Sequence, residues 1–426
     1  MKIQILNTIS RHKAIIVAFL FLKNIGFAQS AWPSISWENA TNLTSIIDSN
    51  GINELSGLHW NPIKNQLFAV GNYGNLIVLM QNSGTNTFSF LANKTIAGGP
   101  EGITQANYND NEFYVIDENN YQIDKYTYAS DFSTVDLIKH WNLLLPPSTM
   151  TNTGNTGTEG IVFIPDNNLS TMGFVSQQTG NLYLSTKGAG GLFFIANQNG
   201  GYIWVFDINP NVNDDFVFVG KYKTNATESC DLSFDRSTNI LYILHNVSGN
   251  NSLETTNLST IIISGTQRKL VTLNQYTIPT PIGNNDNIEG FTMTPKCLQS
   301  EDGNVKAWLC RDVASSESAT LLQDVIREFS PFIAEGNCQP LSVSQENKIR
   351  FSIYPNPAQK NIVIESLEQI KVHSVKIMSC LGQVLLSQEI NDNNVINLDI
   401  SNLSTASYLL KVYTEKGVFN YKFIKN

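Results

Sequence analysis

The sequence predicts an all-β protein, a ring of similar strand units followed by a small β-sandwich, and three observations carry that prediction. First, five segments repeat one pattern, a carboxylate leading into a small-plus-apolar strand: Glu54-Leu-Ser-Gly-Leu58, Glu101-Gly-Ile-Thr104, Glu159-Gly-Ile-Val-Phe163, Asp231-Leu-Ser-Phe-Asp235 and Glu289-Gly-Phe-Thr-Met293. They recur roughly every 50 to 70 residues, the repeat length of a β-propeller blade. Second, the text from Trp32 to Phe332 consists of short apolar runs broken by Gly, Asn, Asp and Pro, with almost no helical periodicity. Third, the composition shifts after Cys338, where Gln339–Lys348 is polar and the strands beyond it alternate apolar with polar residues.

The elements follow in chain order. Lys2, Arg11, His12 and Lys13 precede an apolar run, Ala14–Leu22, and Phe27-Ala-Gln-Ser30 supplies small residues for cleavage, so 1–29 reads as a signal peptide. A run that short cannot span a bilayer, which needs about 20 apolar residues, and no later segment is long enough, so no transmembrane segment is expected in the mature chain. Ser36–Leu43 has no unit of its own and is expected to complete the last blade, since pairing first with last removes exposed strand edges. Within each repeat a second apolar strand follows (Leu67–Val70, Phe113–Ile116, Leu192–Ala196, Leu241–Leu244, Val305–Leu309) and then further strands such as Leu76–Met80 and Tyr202–Asp207. The propeller, 32–338, therefore has five blades, or six if a degenerate one hides in the long interval from Glu159 to Asp231, which also carries an excursion at Gln177–Gly191. The linker spans 339–348, and 349–426 is long enough for an independent sandwich.

Composition narrows the function. The 426 residues are 42% hydrophobic, enough for a buried core, but only 15% charged, with a net charge of −9. No basic stripe exists to neutralise phosphates, which excludes nucleic acid as a partner. Five cysteines lie beyond the leader: Cys230, Cys297, Cys310, Cys338 and Cys380. An oxidising compartment permits two bridges among them, and Cys297 with Cys310, flanking the turn of the last repeat, is the first pair to test. There is no Cys-x-x-Cys and no Cys/His spacing for structural zinc.

The C-terminal segment resembles the C-terminal sorting domain of the type IX secretion system of the Bacteroidota. The residues that carry the likeness are Tyr354-Pro-Asn-Pro357, Leu381-Gly-Gln-Val384, Leu398-Asp-Ile-Ser-Asn-Leu403 and the closing strand pair ending in Lys425-Asn426. Thr405-Ala-Ser407 stands where that family usually has a turn glycine. The resemblance implies handling by the type IX machinery through 349–426, and release or surface attachment after the domain is removed. The propeller region resembles the SdiA-regulated, YjiK-like family and its esterase-like phytase neighbours, through Glu54-Leu-Ser-Gly-Leu58, Pro100-Glu-Gly-Ile103, Glu159-Gly-Ile161, Asp231-Leu-Ser-Phe-Asp235 and Ile288-Glu-Gly-Phe291 with their following strands.

Strand direction turns the repeat into a statement about place. The innermost strand of a blade starts on the face where the second strand ends, so Glu54, Glu101, Glu159, Asp231 and Glu289 should share one channel mouth with Asn72, Asp117, Glu118, Asn197, Gln198, His245, Asn246 and Asp312. Three roles are open to these carboxylates. They can accept backbone N–H bonds and lock neighbouring blades, hold a calcium ion that neutralises their repulsion, or act beside a metal as general bases. Glu101, Glu159 and His245 are the catalytic candidates, while His59 is expected to be packed or hydrogen-bonded. No Gly-x-Ser-x-Gly elbow appears, and Lys187-Gly-Ala-Gly-Gly191 lacks the Lys-Ser/Thr of a phosphate loop. The expected function is a secreted or surface propeller, calcium-binding, that holds an extracellular ligand or partner; the alternative is a metal-dependent hydrolase of phosphate or other esters. Few basic residues flank the motifs, Lys64, Lys125, Arg236 and Arg311 being the nearest, which favours binding over action on a polyanion.

Overall fold

The computed structural model describes residues 29–47, 54–278, 287–299, 304–338, 351–366, 371–379, 384–390, 395–414 and 417–426. The leader up to residue 28, the linker 339–348, Cys380 and Leu381-Gly-Gln383 lie outside the described residues. The chain divides into two compact units, Met1–Gln339 and Pro340–Asn426.

Among the described residues, five sheets make up the first unit, each built on a four-stranded antiparallel blade. Blade 1 comprises Leu55–Asn61, Gln66–Gly71, Asn75–Gln81 and Phe88–Thr95. Blade 2 comprises Pro100–Thr104, Glu112–Asp117, Gln122–Tyr128 and Val135–Asn142, and blade 3 Thr158–Pro165, Gly191–Asn197, Tyr202–Ile208 and Phe216–Lys223. Blade 4 runs through Asp231–Asp235, Ile240–Val247, Asn250–Thr256 and Asn274–Thr277. Blade 5 contains Ile288–Met293, Asn304–Arg311 and Ile326–Ile333, and its outer strand is Thr41–Asn42, paired antiparallel with Glu328 and Arg327. The first strand of each blade packs against the first strands of both neighbours, closing a ring of five. First and second strands are buried on both faces and so read as unbroken apolar runs, whereas outer strands such as Phe88–Thr95 alternate.

The expected closure by the N-terminal segment is thus observed, and side chains reinforce it. Trp37 is fully buried and donates Nε1–H to Asp324 Oδ2 at 2.9 Å, while Arg327 donates to the carbonyls of Trp37 and Ala40 at 3.0 and 2.9 Å. The long interval before blade 4 holds no sixth blade. It forms a short helix, Asp166–Met172, and a loop pinned by the fully buried Asp207, which accepts bonds from Thr186 N, Ser185 Oγ, Thr186 Oγ1 and Tyr183 OH at 2.7 to 3.1 Å. Blade 3 is instead widened from outside. A hairpin between the third and fourth strands of blade 4, Thr260–Ser264 with Gln267–Leu270, pairs in parallel with Phe216–Lys223.

Where the inner strands converge, size decides the sequence. A Cβ on Gly57, Gly102 or Gly160 would lie 2.5, 2.7 or 2.5 Å from the neighbouring blade's backbone, so only glycine permits that approach. One residue earlier the ladder slips in blades 1, 2 and 5, leaving Ser56, Glu101 and Glu289 as bulge residues, and blade 3 slips across Glu159-Gly160. Blade 4 keeps its register from Asp231 to Asp235.

The disulfide joins Cys297 to Cys338, with Cα atoms 5.5 Å apart, and not Cys297 to Cys310. Cys310 pairs across the ladder with Gly290, at the far end of the hairpin from the connection that holds Cys297, and its buried thiol faces the carbonyl of Leu55. The observed bond ties that connection to the end of the propeller. Closing 41 residues restricts the unfolded chain by about 4 kcal/mol.

The second unit is a sandwich. One sheet orders Phe351–Tyr354, Asn361–Ser366 and Val395–Asp399; the other orders Val384–Glu389, Val372–Met378, Ala406–Thr414 and Gly417–Lys425. Alternate residues Ile362, Ile364, Val375, Ile377, Leu398, Leu410, Val412 and Phe423 fill its core. None of Thr405, Ala406 and Ser407 adopts positive φ, so the turn does not require the glycine usual in the family.

Candidate ligand site at the channel mouth

Glu101, Glu159 and Glu289 stand in each other's electrostatic field at the start of the inner strands, and they are the part of the expected ring that the fold assembles. Each of these residues stands at a break in the ladder register, where a bulge can re-aim a side chain. Ser56 holds the same bulge position in blade 1. Its hydroxyl contacts Asn72 and lies 3.4 Å from Glu289 Oε2. With the Asn72 amide turned so that Nδ2 faces the acid, it donates to Glu101 Oε2 at 3.0 Å. Asn287 Nδ2 donates to Glu289 Oε1 at 2.8 Å and to Asp312 Oδ2 at 3.3 Å, and its Oδ1 takes a short bond from Asn246. Glu159 has no side-chain hydrogen bond among the described residues.

These acids hold their protons unusually tightly. Burial, then the charge of Glu289, pushes Glu101 up to about 9, and burial with the charge of Asp312 pushes Glu289 up to about 8. Glu159 is raised well above the carboxylate range by burial, then by Glu101 and Glu289. Asp312 is pushed to about 6 by burial and by Glu54, and one of its oxygens, Oδ1, is buried with no partner. Every charge that weighs on Glu101, Glu159 and Glu289 is negative. Arg311, at the mouth end of its strand, is fully buried and pairs with Asp324, whereas Lys64 lies in the turn at the opposite end of blade 1, donating to Asp110 O and Asn111 Oδ1.

Other expected members of the site have partners of their own. Asp231 is an inter-blade lock: Oδ2 accepts Phe291 N–H at 2.8 Å, Oδ1 accepts Leu232 N–H at 2.7 Å, and Leu58 N–H adds a third backbone donor. Blade 4 lacks the bulge, so Asp231 occupies the glycine position, its Cα beside Gly160, and Cys230 takes the preceding one and turns into the apolar core. Glu54 precedes the first strand with φ of 55° and meets Tyr73, whose hydroxyl its charge pushes up. It belongs to the rim with Asp312. Asp117 caps a turn, accepting from Gly99 N, Asn120 N and Asn120 Nδ2 at 2.7 to 3.3 Å. Asn197 is buried at the blade 3 end, paired with Thr158, and Glu118 accepts Gly157 N–H at 3.1 Å, one residue from the paired strands.

His245 is not at the mouth. It is wholly buried inside blade 4, with Nε2 2.9 Å from Glu254 Oε2 and Nδ1 2.8 Å from Glu228 O and 3.2 Å from Ser229 Oγ. Glu254 accepts in turn from Asn225 N at 2.9 Å and Thr272 Oγ1 at 2.5 Å. Ser, His and Glu meet here as in a hydrolase, but no substrate can reach them. His59 packs on Tyr108 and Phe68 along its inner strand, as expected, with its Nε2 buried and without a partner.

The acids present fit a cation in kind but not yet in distance. Among the described residues no three Asp, Glu, His or Cys side chains stand close enough to hold a metal as placed. Calcium needs about six to eight oxygens at about 2.3–2.6 Å, so Glu101, Glu159 and Glu289 would have to draw inward by side-chain rotation, with Ser56, Asn72 and Asn287 supplying neutral oxygens.

Comparison with known proteins supports both halves of the chain. Residues 39–173, the closing strand with blades 1 and 2 and the start of blade 3, match the family described as SdiA-regulated. Residues 352–426 match the secretion system C-terminal sorting domain. Among solved structures, a protein from Lactobacillus plantarum aligns at 14% identity over 53% of this chain and 56% of its own length, with a TM-score of 0.31. A chain of a nidogen/laminin complex aligns at 13% identity over 65% of this chain and 83% of its own, with a TM-score of 0.32. No curated protein matches. No helix among the described residues is long and apolar enough to cross a membrane. The chain therefore pairs a propeller, matched over its first blades by the SdiA-regulated family, with a type IX secretion sorting domain that directs it to the cell surface or beyond.

Proposed function

We propose that the exported propeller is a calcium-dependent binding protein whose axial carboxylates, Glu101, Glu159 and Glu289, hold the ion at the channel mouth. The observation that carries this reading is a cluster of acids, Glu101 buried and Glu159 and Glu289 half-buried, weighed on only by other carboxylates, in which Glu159 has no side-chain hydrogen bond among the described residues. Two states relieve such a cluster: protonation, or a bound cation. Calcium is abundant outside cells and tolerates the loose, mixed oxygen set available here. The extracellular ligand or partner then binds over the mouth, against Asn246, Asn287 and the exposed ring of Tyr73. Thermal melting of the full chain with Ca²⁺ and with EGTA tests the ion. Calcium should raise the melting temperature of the wild type by several degrees and leave Glu159→Gln unmoved; equal melting of the wild type in both buffers contradicts the proposal.

A second reading, a metal-dependent ester hydrolase, rests on the grouping of Glu101, Glu159 and Glu289, three carboxyl groups whose proton affinity burial and their neighbours raise, so that one can serve as a general acid beside an ion held by the others. A screen of phosphate and carboxylate esters with Ca²⁺ decides it. Turnover lost in Glu101→Gln supports the hydrolase, and no turnover across the panel removes it.

A further inference from the structure

We infer a second binding site, for a neutral saccharide, in the groove between blades 2 and 3 on the propeller face opposite the acidic mouth. The groove encloses about 620 Å³, within the usual range of small-ligand pockets of about 300–1,000 Å³. Its walls come from strand ends that the fold places at that face: the loop after Pro100–Thr104, the loop before Gly191–Asn197, and Pro210-Asn211 beyond Tyr202–Ile208.

Charge excludes most ligand classes. Lys125 is paired with Glu112 at 2.9 Å. Arg236 donates to the carbonyls of Ala106 and Gln105 at 3.0 and 2.6 Å while lying 3.9 Å over the Tyr108 ring, so neither cation is available to an anion. Two carboxylates also line the groove, but Glu112 is the partner of Lys125 and Asp110 Oδ2 accepts from Asn107 Nδ2 at 3.0 Å, so the uncommitted polar groups are chiefly amides. Asn211 and Asn167 are exposed, and neither the Asn211 side chain nor Asn167 Nδ2 has a partner among the described residues. Gly188 and Gly190 add backbone with no side chain above it, since a Cβ at either would meet nothing within 4 Å.

The wall is rigid. Buried Asn168 donates to Arg236 O at 2.9 Å and Asn239 Oδ1 at 2.6 Å, fixing the helix Asp166–Met172 against blade 4. A preformed groove with free amide donors and acceptors, an apolar base at Phe163, and no uncommitted cation suits hydroxyl groups on an uncharged ring.

Isothermal titration of the full chain with millimolar cellobiose, maltose, xylobiose and chitobiose tests the site. At least one should bind. Asn211→Trp, an exposed loop change that fills the groove, should weaken it at least tenfold with an unchanged melting temperature, and Glu101→Gln should leave it intact. Binding by none of the four, binding retained in Asn211→Trp, or binding lost in Glu101→Gln would each overturn the inference.

Discussion

Buried and half-buried acids occur in two very different settings within one propeller. In blade 4, Asp231 receives three backbone N–H groups, and Glu254 receives a histidine, a threonine and a backbone amide. At the mouth, Glu101, Glu159 and Glu289 face mainly one another. The shifts separate Glu254 from Glu101: Glu254 is lowered despite burial because His245 and the other donors outweigh it, whereas Glu101 is raised to about 9, and Asp231, for all its backbone donors, is also raised by burial. A fold that places enough donors around an acid has made it structural. Acids left to repel each other destabilise the fold unless something from outside joins them.

Mutation should separate the two settings, the largest effect coming first. Glu254→Ala leaves three buried groups, His245 Nε2, Thr272 Oγ1 and Asn225 N, without their shared partner and should cost about 3–5 kcal/mol in urea unfolding. A loss below 1 kcal/mol would mean the pair is not buried as described. Asp231→Ala leaves Leu232 N–H in its own strand and Phe291 and Leu58 N–H in other blades without their acceptor and should cost about 2–4 kcal/mol. Glu101→Gln should behave in the opposite sense, raising stability in chelator at pH 8 by about 1 kcal/mol, because the amide carries neither the cost of burying an acid nor that of setting it beside Glu289. Destabilisation there would place Glu101 among the structural acids.

The pH dependence gives a subtler test. The folded acidity constants of Glu101 and Glu289, about 9 and about 8, lie above their unfolded value of 4.5, so the native state binds more protons between these limits. Stability conferred by protonated folded acids is full below the unfolded value and falls as pH rises toward 8 to 9. In EGTA the melting temperature should therefore drop between pH 5 and 9, and saturating Ca²⁺ should flatten the curve. A curve that rises with pH would show that the mouth acids are already matched.

Much of this was legible in the chain. The repeats located all five inner strands, the segment before Leu43 was recognisable as the closing strand, and the alternation beyond Phe351 marked the sandwich. The site was legible only in part, because aligning the repeats on the carboxylate overlooks bulges. Aligned on the glycine that the axis demands, blade 1 reads Ser56-Gly57 and blade 4 reads Cys230-Asp231, which removes Glu54 and Asp231 from the ring and adds Ser56. That signal lay in Gly57, Gly102, Gly160 and Gly290. Asn287 was missed because nothing in the motif marks the residue two before the acid. His245 was misplaced because position along a strand says nothing about which face it uses, and Cys338 pairs with Cys297 through a contact far apart in sequence.

Calcium titration of the full chain at pH 7.5, followed by calorimetry, tests the central claim most directly. One ion should bind per chain to the wild type, and none to the Glu101→Gln/Glu159→Gln variant, with the fold of both verified by circular dichroism. No binding to the wild type, or undiminished binding to the double variant, would contradict the assignment of the mouth acids as an ion site.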